Sequence, residues 1–258
     1  MTSPYRPLAV VTGASSGIGA NLARELAKDG HDLVLSARTV PPMQSLADEL
    51  RGYGANSIVI AADLAKPGAA AGLAGEIETR GLLTDVFVGN AGLGGIGRFD
   101  QMNPQRIHDM VMINVVALTE LTRLVVPGMV ARRHGKVLLV ASTASFQPGP
   151  RVAVYFATKS YVLSLGEALT YELRGTGVTV TTLCPGATAT NFFKAAGANE
   201  NFLPAMSAAE VGRIGYRGLK AGRRVVITGM MNRILALGGR YGPHWLTLPA
   251  IAALMLRR

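Results

Sequence analysis

Seven short runs of apolar and β-branched residues recur along this chain of 258 residues, and they constrain its fold more than any other feature. They lie at residues 8–11, 33–35, 58–61, 86–88, 137–140, 178–183 and 225–227. Taken together, the runs consist of apolar and β-branched residues without a strict polar alternation, which is typical of strands buried on both faces. Segments of helical length separate the runs, and no linker rich in Pro, Gly or Ser divides them. The pattern predicts one α/β domain, 1–258, with a doubly wound, seven-stranded parallel sheet.

A glycine-rich turn follows the first predicted strand, and a segment with helical apolar spacing follows the turn. Glycines let a backbone approach a pyrophosphate, and a helix N-terminus offers it free N–H groups and a positive dipole end. Glycines also serve any tight strand-to-helix turn, but this position favours dinucleotide binding. The candidate contacts within residues 12–19 are Gly13, Ser15, Ser16, Gly17, Ile18 and Gly19.

The second predicted strand ends in Ser36-Ala37-Arg38, where an NAD-specific site would present an acidic residue to the ribose 2′-hydroxyl. Arg38 instead offers a planar, permanently charged group suited to a 2′-phosphate, which favours NADP(H), although it could also be a surface arginine. Asp63 and Leu64 follow the third strand. Asp63 could accept a hydrogen bond from the adenine amino group, or it could cap the next helix.

Tyr155 and Lys159 lie four residues apart in a segment, 154–173, that contains no helix breaker. Residues at this spacing share one face of a helix, so we expect the ammonium to lie near the phenol and to lower its pKa from about 10. Taken alone, such a pair is more often a solvated pair on a helix surface.

Together with further motifs, these segments resemble the short-chain dehydrogenase/reductase family over residues 8 to about 229. The resemblance implies a Rossmann fold and a nicotinamide cofactor. It also implies that Tyr155 is the general acid toward a carbonyl oxygen, or the base in alcohol oxidation, and that Lys159 holds the nicotinamide ribose. Ser142 would polarise the substrate oxygen, and Asn114 would hold a water behind Lys159. Their plainer alternatives are a turn serine and a helix-interior polar residue bonded to local backbone.

The same resemblance implies cofactor contacts after the fourth and sixth strands. They are Asn90, Ala91 and Gly92 on one side, and Pro185, Gly186, Thr188 and Thr190 on the other. Gly89 stands where the family usually has a first asparagine, a departure that leaves the rest of the motif intact.

Substrate selectivity in this family resides in loops beyond the strand ends, and here these loops are rich in apolar residues. We expect a hydrophobic ketone or 3-ketoacyl substrate, a substrate lid at 188–215 and a C-terminal extension at 230–258. Apolar residues that could line the pocket or close the core are Phe146, Val152, Phe192, Phe193, Phe202, Leu203 and Met206.

The C-terminal segment 245–256 is apolar, contains Pro249 and precedes Arg257 and Arg258. It is too short for a transmembrane helix. It could contact a membrane surface weakly, pack against another subunit of a homodimer or homotetramer, or fray.

Composition limits the other kinds of partner and site that this chain could have. The formal charge is +10, but the basic residues are mostly dispersed and lack the aromatics of a single-strand binder, so we expect no nucleic acid partner. Four scattered histidines and one cysteine, Cys184, predict no metal site. The N-terminus lacks the features of a signal peptide, so a cytoplasmic location is expected. Alternatives are an alcohol dehydrogenase working oxidatively, a non-catalytic NADP(H) sensor and a basic membrane scaffold.

Overall fold

The computed structural model describes residues 6–192, 196 and 205–256. Its strands are β1 Leu8–Thr12, β2 Asp32–Ala37, β3 Ser57–Ala61, β4 Thr84–Gly89, β5 Gly135–Val140, β6 Val178–Cys184, β7 Thr188–Ala189, β8 Met206–Ser207 and β9 Val225–Ile227. Seven of them form one parallel sheet in the order β3-β2-β1-β4-β5-β6-β9. Each of the seven predicted runs lies inside one strand of this sheet, so the predicted fold class is confirmed.

Helices connect the strands and cover both faces of the sheet. They are α1 Gly17–Lys28, α2 Val40–Leu50, α3 Ala69–Thr79, α4 Pro104–Val111, α5 Leu118–Ala131, α6 Ala153–Glu172, α7 Ala208–Lys220, α8 Met230–Tyr241 and α9 His244–Leu256. A π-helical stretch, Met112–Ala117, joins α4 to α5. The predicted helix 154–173 corresponds to α6, shifted by one residue.

The alternation of side chains along each strand divides the core into two layers. In β1, Leu8 and Val10 contact one cluster of buried residues, while Ala9 and Val11 contact the other. The first cluster lies under α3, α5 and α6, and the second lies under α1, α2 and α7. A strand between two such layers buries both of its faces, which explains why apolar and β-branched residues dominate the strands.

The helical stretch Pro104–Ala131 is long and apolar enough, by length and composition alone, to cross a membrane. In this structure 39% of its most apolar window is buried inside the protein, and α5 packs against α3 and β4. Such packing is typical of the core helix of a globular domain, which passes the same test of length and composition.

The region predicted as a substrate lid, 188–215, has two different parts. The first part, 188–207, begins with β7 and ends with β8, and these two strands form a small parallel pair that was not predicted. From residue 208 the chain belongs to α7, whose Gly212 and Gly215 pack against α1 and β6 in the core. Only 188–207 could therefore belong to the predicted lid, which stays a prediction; residues 193–195 and 197–204 of this segment lie outside the described residues.

Candidate active site

A cavity of about 770 Å³ lies at the carboxyl ends of the strands. It begins at the turn after β1, passes the end of β4 and reaches α6. The order of the sheet changes direction between β1 and β4, and ligands of doubly wound sheets bind in the crevice that this change leaves.

The turn after β1 is shaped by two glycines in the left-handed region. Gly13 has φ of 65° and Gly17 has φ of 57°. A Cβ atom on Gly13 would lie 2.7 Å from Asn90 Nδ2 and 2.9 Å from Ala91 Cα, so only glycine fits. With Ser15, Ser16 and Ile18, both glycines line the cavity, and α1 starts there with its N-terminus toward the cavity. This geometry suits a pyrophosphate group.

Asn90 holds that turn against the end of β4. Its Nδ2 donates to Thr12 O at 2.9 Å and to Gly13 O at 3.1 Å. The Thr12 hydroxyl accepts from the backbone N–H groups of Asn90 and Ala91, both at 3.1 Å. Gly19 does not line the cavity: it packs beneath the turn, where a Cβ atom would lie 2.4 Å from both Asn90 Nδ2 and Gly13 O. Its role is to let α1 approach the loop.

Arg38 lines the cavity at the end of β2, beside Ala37 and Thr39. Among the described residues, Arg38 and Lys159 are the only cationic side chains in the cavity wall. Leu64 also lines it, but Asp63 does not, and the Asp63 carboxylate accepts from Ala65 N at 3.3 Å. Asp63 does not cap the next helix, because α3 begins later, after Gly68. The contact of Asp63 with the adenine amino group stays a prediction.

Tyr155 lies at the inner end of the cavity and bonds to Ser142. Burial raises the pKa of Tyr155 to about 12, against a smaller lowering by the Ser142 hydrogen bond. Ser142 follows β5 and caps a short helical turn, where its hydroxyl accepts from Ala144 N at 3.1 Å. Ser145 has a different position, since it is buried and donates to Lys159 O at 2.7 Å. The choice of Ser142 over Ser145 thus agrees with the geometry.

Lys159 is almost fully buried beneath Tyr155. Its Nζ donates to Val140 O at 2.8 Å and lies 5.9 Å from the centre of the Tyr155 ring. Burial lowers the pKa of Lys159 to about 8. The expectation that Lys159 lowers the pKa of Tyr155 is therefore wrong for this state. Burial of the phenol dominates: it disfavours the tyrosinate form, and it raises the pKa of Tyr155 although Lys159 lies nearby.

Asn114 lies in the π-helical stretch and is completely buried. Its Oδ1 accepts from Leu93 N at 2.8 Å, and its Nδ2 donates to Leu93 O at 2.9 Å and to Thr158 Oγ1 at 3.0 Å. It thus joins the loop after β4 to α6, and it does not merely bond to local backbone. Gly92 lies between the side chains of Lys159 and Asn114. A Cβ atom on Gly92 would be 3.4 Å from Lys159 Nζ and 3.5 Å from Asn114 Oδ1.

Residues after β6 form the wall opposite Gly92. Pro185, Gly186, Thr188 and Thr190 all line the cavity, as do Asn90 and Ala91 across from them. The Thr190 side chain packs over the glycine turn, because a Cβ atom on Gly17 would lie 2.9 Å from its methyl group. The structure thus brings all the predicted site residues to one cavity except Gly19, Asp63 and Asn114.

Of the apolar residues named as pocket candidates, Phe192 and Met206 line the cavity. The Phe192 ring lies 5.3 Å from the Tyr155 ring. Phe146 and Val152 pack in the core instead. Phe193, Phe202 and Leu203 lie outside the described residues.

The C-terminal extension contributes to the cavity wall, which the sequence did not predict. Side chains of α8 and α9 close one side of it, and Gln147 stands between them and Ser142. These additional lining residues are Gln147, Met230, Met231, Asn232, Leu235, Ala236 and Ile251. Only the amphipathic spacing in α8 could have signalled that one face of this helix is covered.

Cys184 is buried at the end of β6. Burial raises the pKa of its thiol to about 12, so it stays protonated, as expected for a packing residue. Within the part of the chain that the structure describes, no group of three or more His, Cys, Asp or Glu side chains could hold a metal ion.

Comparison with known proteins gives consistent results. The profile of the short chain dehydrogenase family matches residues 7–201. An uncharacterized oxidoreductase of Myxococcus xanthus is 34% identical over 190 residues, which are 72% of this chain and 75% of that protein.

Two solved structures are similar over most of their length. A short-chain dehydrogenase from Sphingobium yanoikuyae in complex with NADPH is 32% identical, with a TM-score of 0.83 over 90% of this chain and 92% of that one. A bulky-bulky ketone specific alcohol dehydrogenase from Comamonas testosteroni is 31% identical, with a TM-score of 0.77 over 98% and 94%. The Rossmann fold and the oxidoreductase class predicted from the sequence are confirmed, and this chain belongs to the short-chain dehydrogenase/reductase family.

Proposed function

We propose that this protein is an NADPH-dependent reductase of hydrophobic ketones or 3-ketoacyl compounds, with Tyr155 as the proton donor. The observation that carries the proposal is the position of the Tyr155 hydroxyl. It bonds to Ser142 at the inner end of a cavity whose outer end is formed by the glycine turn and Arg38.

The cavity fits a dinucleotide with a 2′-phosphate. The left-handed glycines Gly13 and Gly17 leave room for a pyrophosphate at the N-terminus of α1. Arg38 provides a fixed positive charge near the end of β2, where the 2′-phosphate of NADP(H) would lie. NADPH supplies the hydride in this chemistry. The NADPH complex of the Sphingobium relative supports the same preference here.

The proton chemistry follows from burial. Because the pKa of Tyr155 is about 12, its hydroxyl carries a proton throughout the neutral range and can donate it to a carbonyl oxygen. Ser142 would donate a second hydrogen bond to that oxygen and stabilise its developing negative charge. Lys159, with a pKa of about 8, can return a proton to Tyr155 after turnover. Because Tyr155 is protonated at neutral pH, it can act at once as the acid that reduction needs, whereas oxidation needs it as a base.

The walls around Tyr155 favour an apolar substrate. Phe192, Met206, Met231 and Leu235 line this end of the cavity, with Gln147 as a polar neighbour. The ketone specificity of the Comamonas relative supports a bulky ketone as the substrate class. We further propose a cytoplasmic homodimer or homotetramer, without a nucleic acid partner.

An oxidative alcohol dehydrogenase is the second candidate, since the same residues serve both directions. It would need Tyr155 to lose its proton to become a base, which its raised pKa opposes. A sensor that binds NADPH without turnover would have no use for the Tyr155–Ser142 pair.

The test is NADPH consumption, followed at the nicotinamide absorbance band, against aliphatic, aromatic, 3-ketoacyl and steroid ketones. Tyr155→Phe should lower kcat by about 100-fold or more, because general acid catalysis contributes about that much, and should leave the NADPH dissociation constant nearly unchanged. Tyr161→Phe is the matched control: Tyr161 lies on the same helix, is partly exposed and bonds to Thr119 at 2.9 Å.

Ordinary turnover by the Tyr155→Phe variant would contradict the proposed role of Tyr155. NADPH binding by the wild type with no consumption on any ketone, and with alcohol oxidation also absent, would favour the sensor. A preference for NADH over NADPH would show that the cofactor assignment is wrong.

A further inference from the structure

The helices α8 and α9 carry a concentrated apolar surface. The described residues include sixteen large apolar side chains that are clearly exposed, and eight of them lie between residues 230 and 246. The most exposed of these eight are Tyr241 at 75% and Trp245 at 74%, and Leu237 at 58% and Ile234 at 57% are also more than half exposed. The other eight are scattered between residues 40 and 171. Contiguous exposed patches of this kind mark interaction sites.

The same part of the chain is strongly basic. Residues 211–258 contain nine Lys and Arg and no Asp or Glu, so this segment accounts for nearly all of the net charge of +10. Arg233 and Arg240 are exposed on α8 itself, and Arg223 and Arg224 are exposed just before β9. The acidic group near them is Glu167, which lies 3.7 Å from Arg224 and 3.7 Å from Arg240. One carboxylate between two guanidinium groups leaves the patch positive.

One face of α8 packs against the domain, so the opposite, exposed face has a defined position. Ala236 and Gly239 are buried, and α8 packs on the short helical turn that follows Ser142. A Cβ atom on Gly239 would lie 1.9 Å from Gln147 Oε1, so the helix backbone lies directly on the cavity wall. Ile251 of α9 is buried against the same cavity. The outward apolar face therefore belongs to helices that are packed on the domain, and it does not arise because the segment is unfolded.

We propose that α8 and the start of α9 dock this protein on the surface of an anionic lipid bilayer. Helices with aromatic and aliphatic side chains on one face and arginines beside them lie in the interface between headgroups and acyl chains. Basic residues near the surface add attraction to anionic headgroups. A second copy of this chain is the less suitable occupant. A symmetric dimer through this face would place the same basic, acid-free segment opposite itself.

Docking would place the mouth of the cavity at the bilayer. Met231 and Leu235 line the cavity and are also 67% and 59% exposed, so one helix belongs to both surfaces. A hydrophobic ketone dissolved in the bilayer could then reach Tyr155 without crossing water. This second step rests on the proposed reductase function, whereas lipid binding itself does not.

Sedimentation with vesicles tests the docking directly. Wild-type protein should bind vesicles of equal parts phosphatidylcholine and phosphatidylglycerol, bind vesicles of phosphatidylcholine alone much less, and release as salt is raised. The variant Leu237→Gln/Trp245→Gln should lower the partition coefficient by about tenfold, because neither side chain could enter the interface. Neither residue lines the cavity, so reduction of a water-soluble ketone should be unchanged.

The matched control is Tyr53→Gln/Leu83→Gln, which removes one exposed aromatic residue and one exposed leucine far from this patch. It should bind vesicles like the wild type. Absence of wild-type binding to the mixed vesicles, or equal loss in both double variants, would overturn the proposal. Light scattering in solution identifies the second-copy alternative: a smaller mass for the Leu237→Gln/Trp245→Gln variant alone would show that this face joins two protomers.

A turnover assay separates the two steps. If docking delivers substrate, the same double variant should lose kcat/KM for a ketone presented in mixed vesicles and keep it for a soluble ketone. Vesicle binding without any turnover would contradict the reductase function and leave the docking surface established.

Discussion

Replacing Lys159 by Met should make the protein more stable at neutral pH and inactive. Lys159 is 4% exposed, and burial lowers its pKa from 10.5 to about 8. Unfolding returns the amine to water, where it binds a proton more tightly than in the folded state. The charged lysine therefore opposes folding at any pH below 8, and this effect fades as the pH rises from 8 to 10.5. Methionine has a similar length and carries no charge.

The size of the effect follows from the two pKa values. One pKa unit corresponds to about 1.4 kcal/mol, so burial of the charge costs about 3 kcal/mol at pH 7. Against this, the variant loses the hydrogen bond from Lys159 to Val140 O, which contributes about 2 kcal/mol for a charged donor. The net gain at pH 7 is about 1 kcal/mol. Between pH 7 and pH 9 the cost of the charge falls by about 1 kcal/mol, so the advantage should largely vanish.

Urea unfolding at both pH values, at one protein concentration and without cofactor, measures this difference. Other titrating groups, such as Tyr155 and Cys184, are common to both proteins and cancel in the comparison. The control is Lys66→Met, which removes an exposed lysine and should change the unfolding free energy equally at pH 7 and pH 9. A Lys159→Met variant that is less stable than wild type by the same amount at both pH values would refute the reasoning.

Three further substitutions test the positioning of the site. Gly19→Ala should lower the free energy of unfolding by about 1–3 kcal/mol and weaken NADPH binding, because the new Cβ atom would clash with Asn90 and Gly13. Gly72→Ala, at a glycine with open space around it, is the control in thermal unfolding. Asn114→Ala should cost about 3 kcal/mol in urea unfolding, because Leu93 loses partners for both its N–H and C=O, and a cost below about 1 kcal/mol would contradict this. Arg38→Ala should raise the NADPH dissociation constant by about 10- to 100-fold and leave that of NADH nearly unchanged. The control Arg51→Ala, at an exposed site, should affect the binding of neither cofactor. Equal losses of affinity for both cofactors in Arg38→Ala would reject the 2′-phosphate role.

The structural features that the sequence predicted and the structure contains share one property, which is that their signal is local. Strand burial appears as a run of apolar and β-branched residues, and the turn at Gly13 and Gly17 appears as glycines between a strand and a helix. The common face of Tyr155 and Lys159 follows from helical spacing. In each case a few neighbouring residues contain the whole pattern, so no knowledge of distant contacts is needed.

The errors concern properties that depend on distant parts of the chain. The sequence offers Asp63 as a cap of the next helix, but its carboxylate accepts from Ala65 N within its own turn, and α3 begins only after Gly68. Phe146 and Val152 are apolar, yet whether an apolar residue lines a pocket or fills the core depends on what packs over it. The role of α8 in the cavity wall was missed because residues 230–241 return to Gln147 from far along the chain.

The sequence by itself determined the α/β class, the family and the glycine turn, and it predicted the tyrosine, lysine and serine that the structure brings to one cavity. The tertiary structure alone decided their chemistry. It buried Tyr155 and Lys159 together, which raises the pKa of Tyr155 and lowers that of Lys159, and it connected Asn114 to Leu93 and Thr158 across 21 and 44 residues. It also left the apolar face of α8 exposed beside a basic segment. Burial and electrostatic environment are sums over residues that are distant in sequence, whereas secondary structure and turns depend on neighbours.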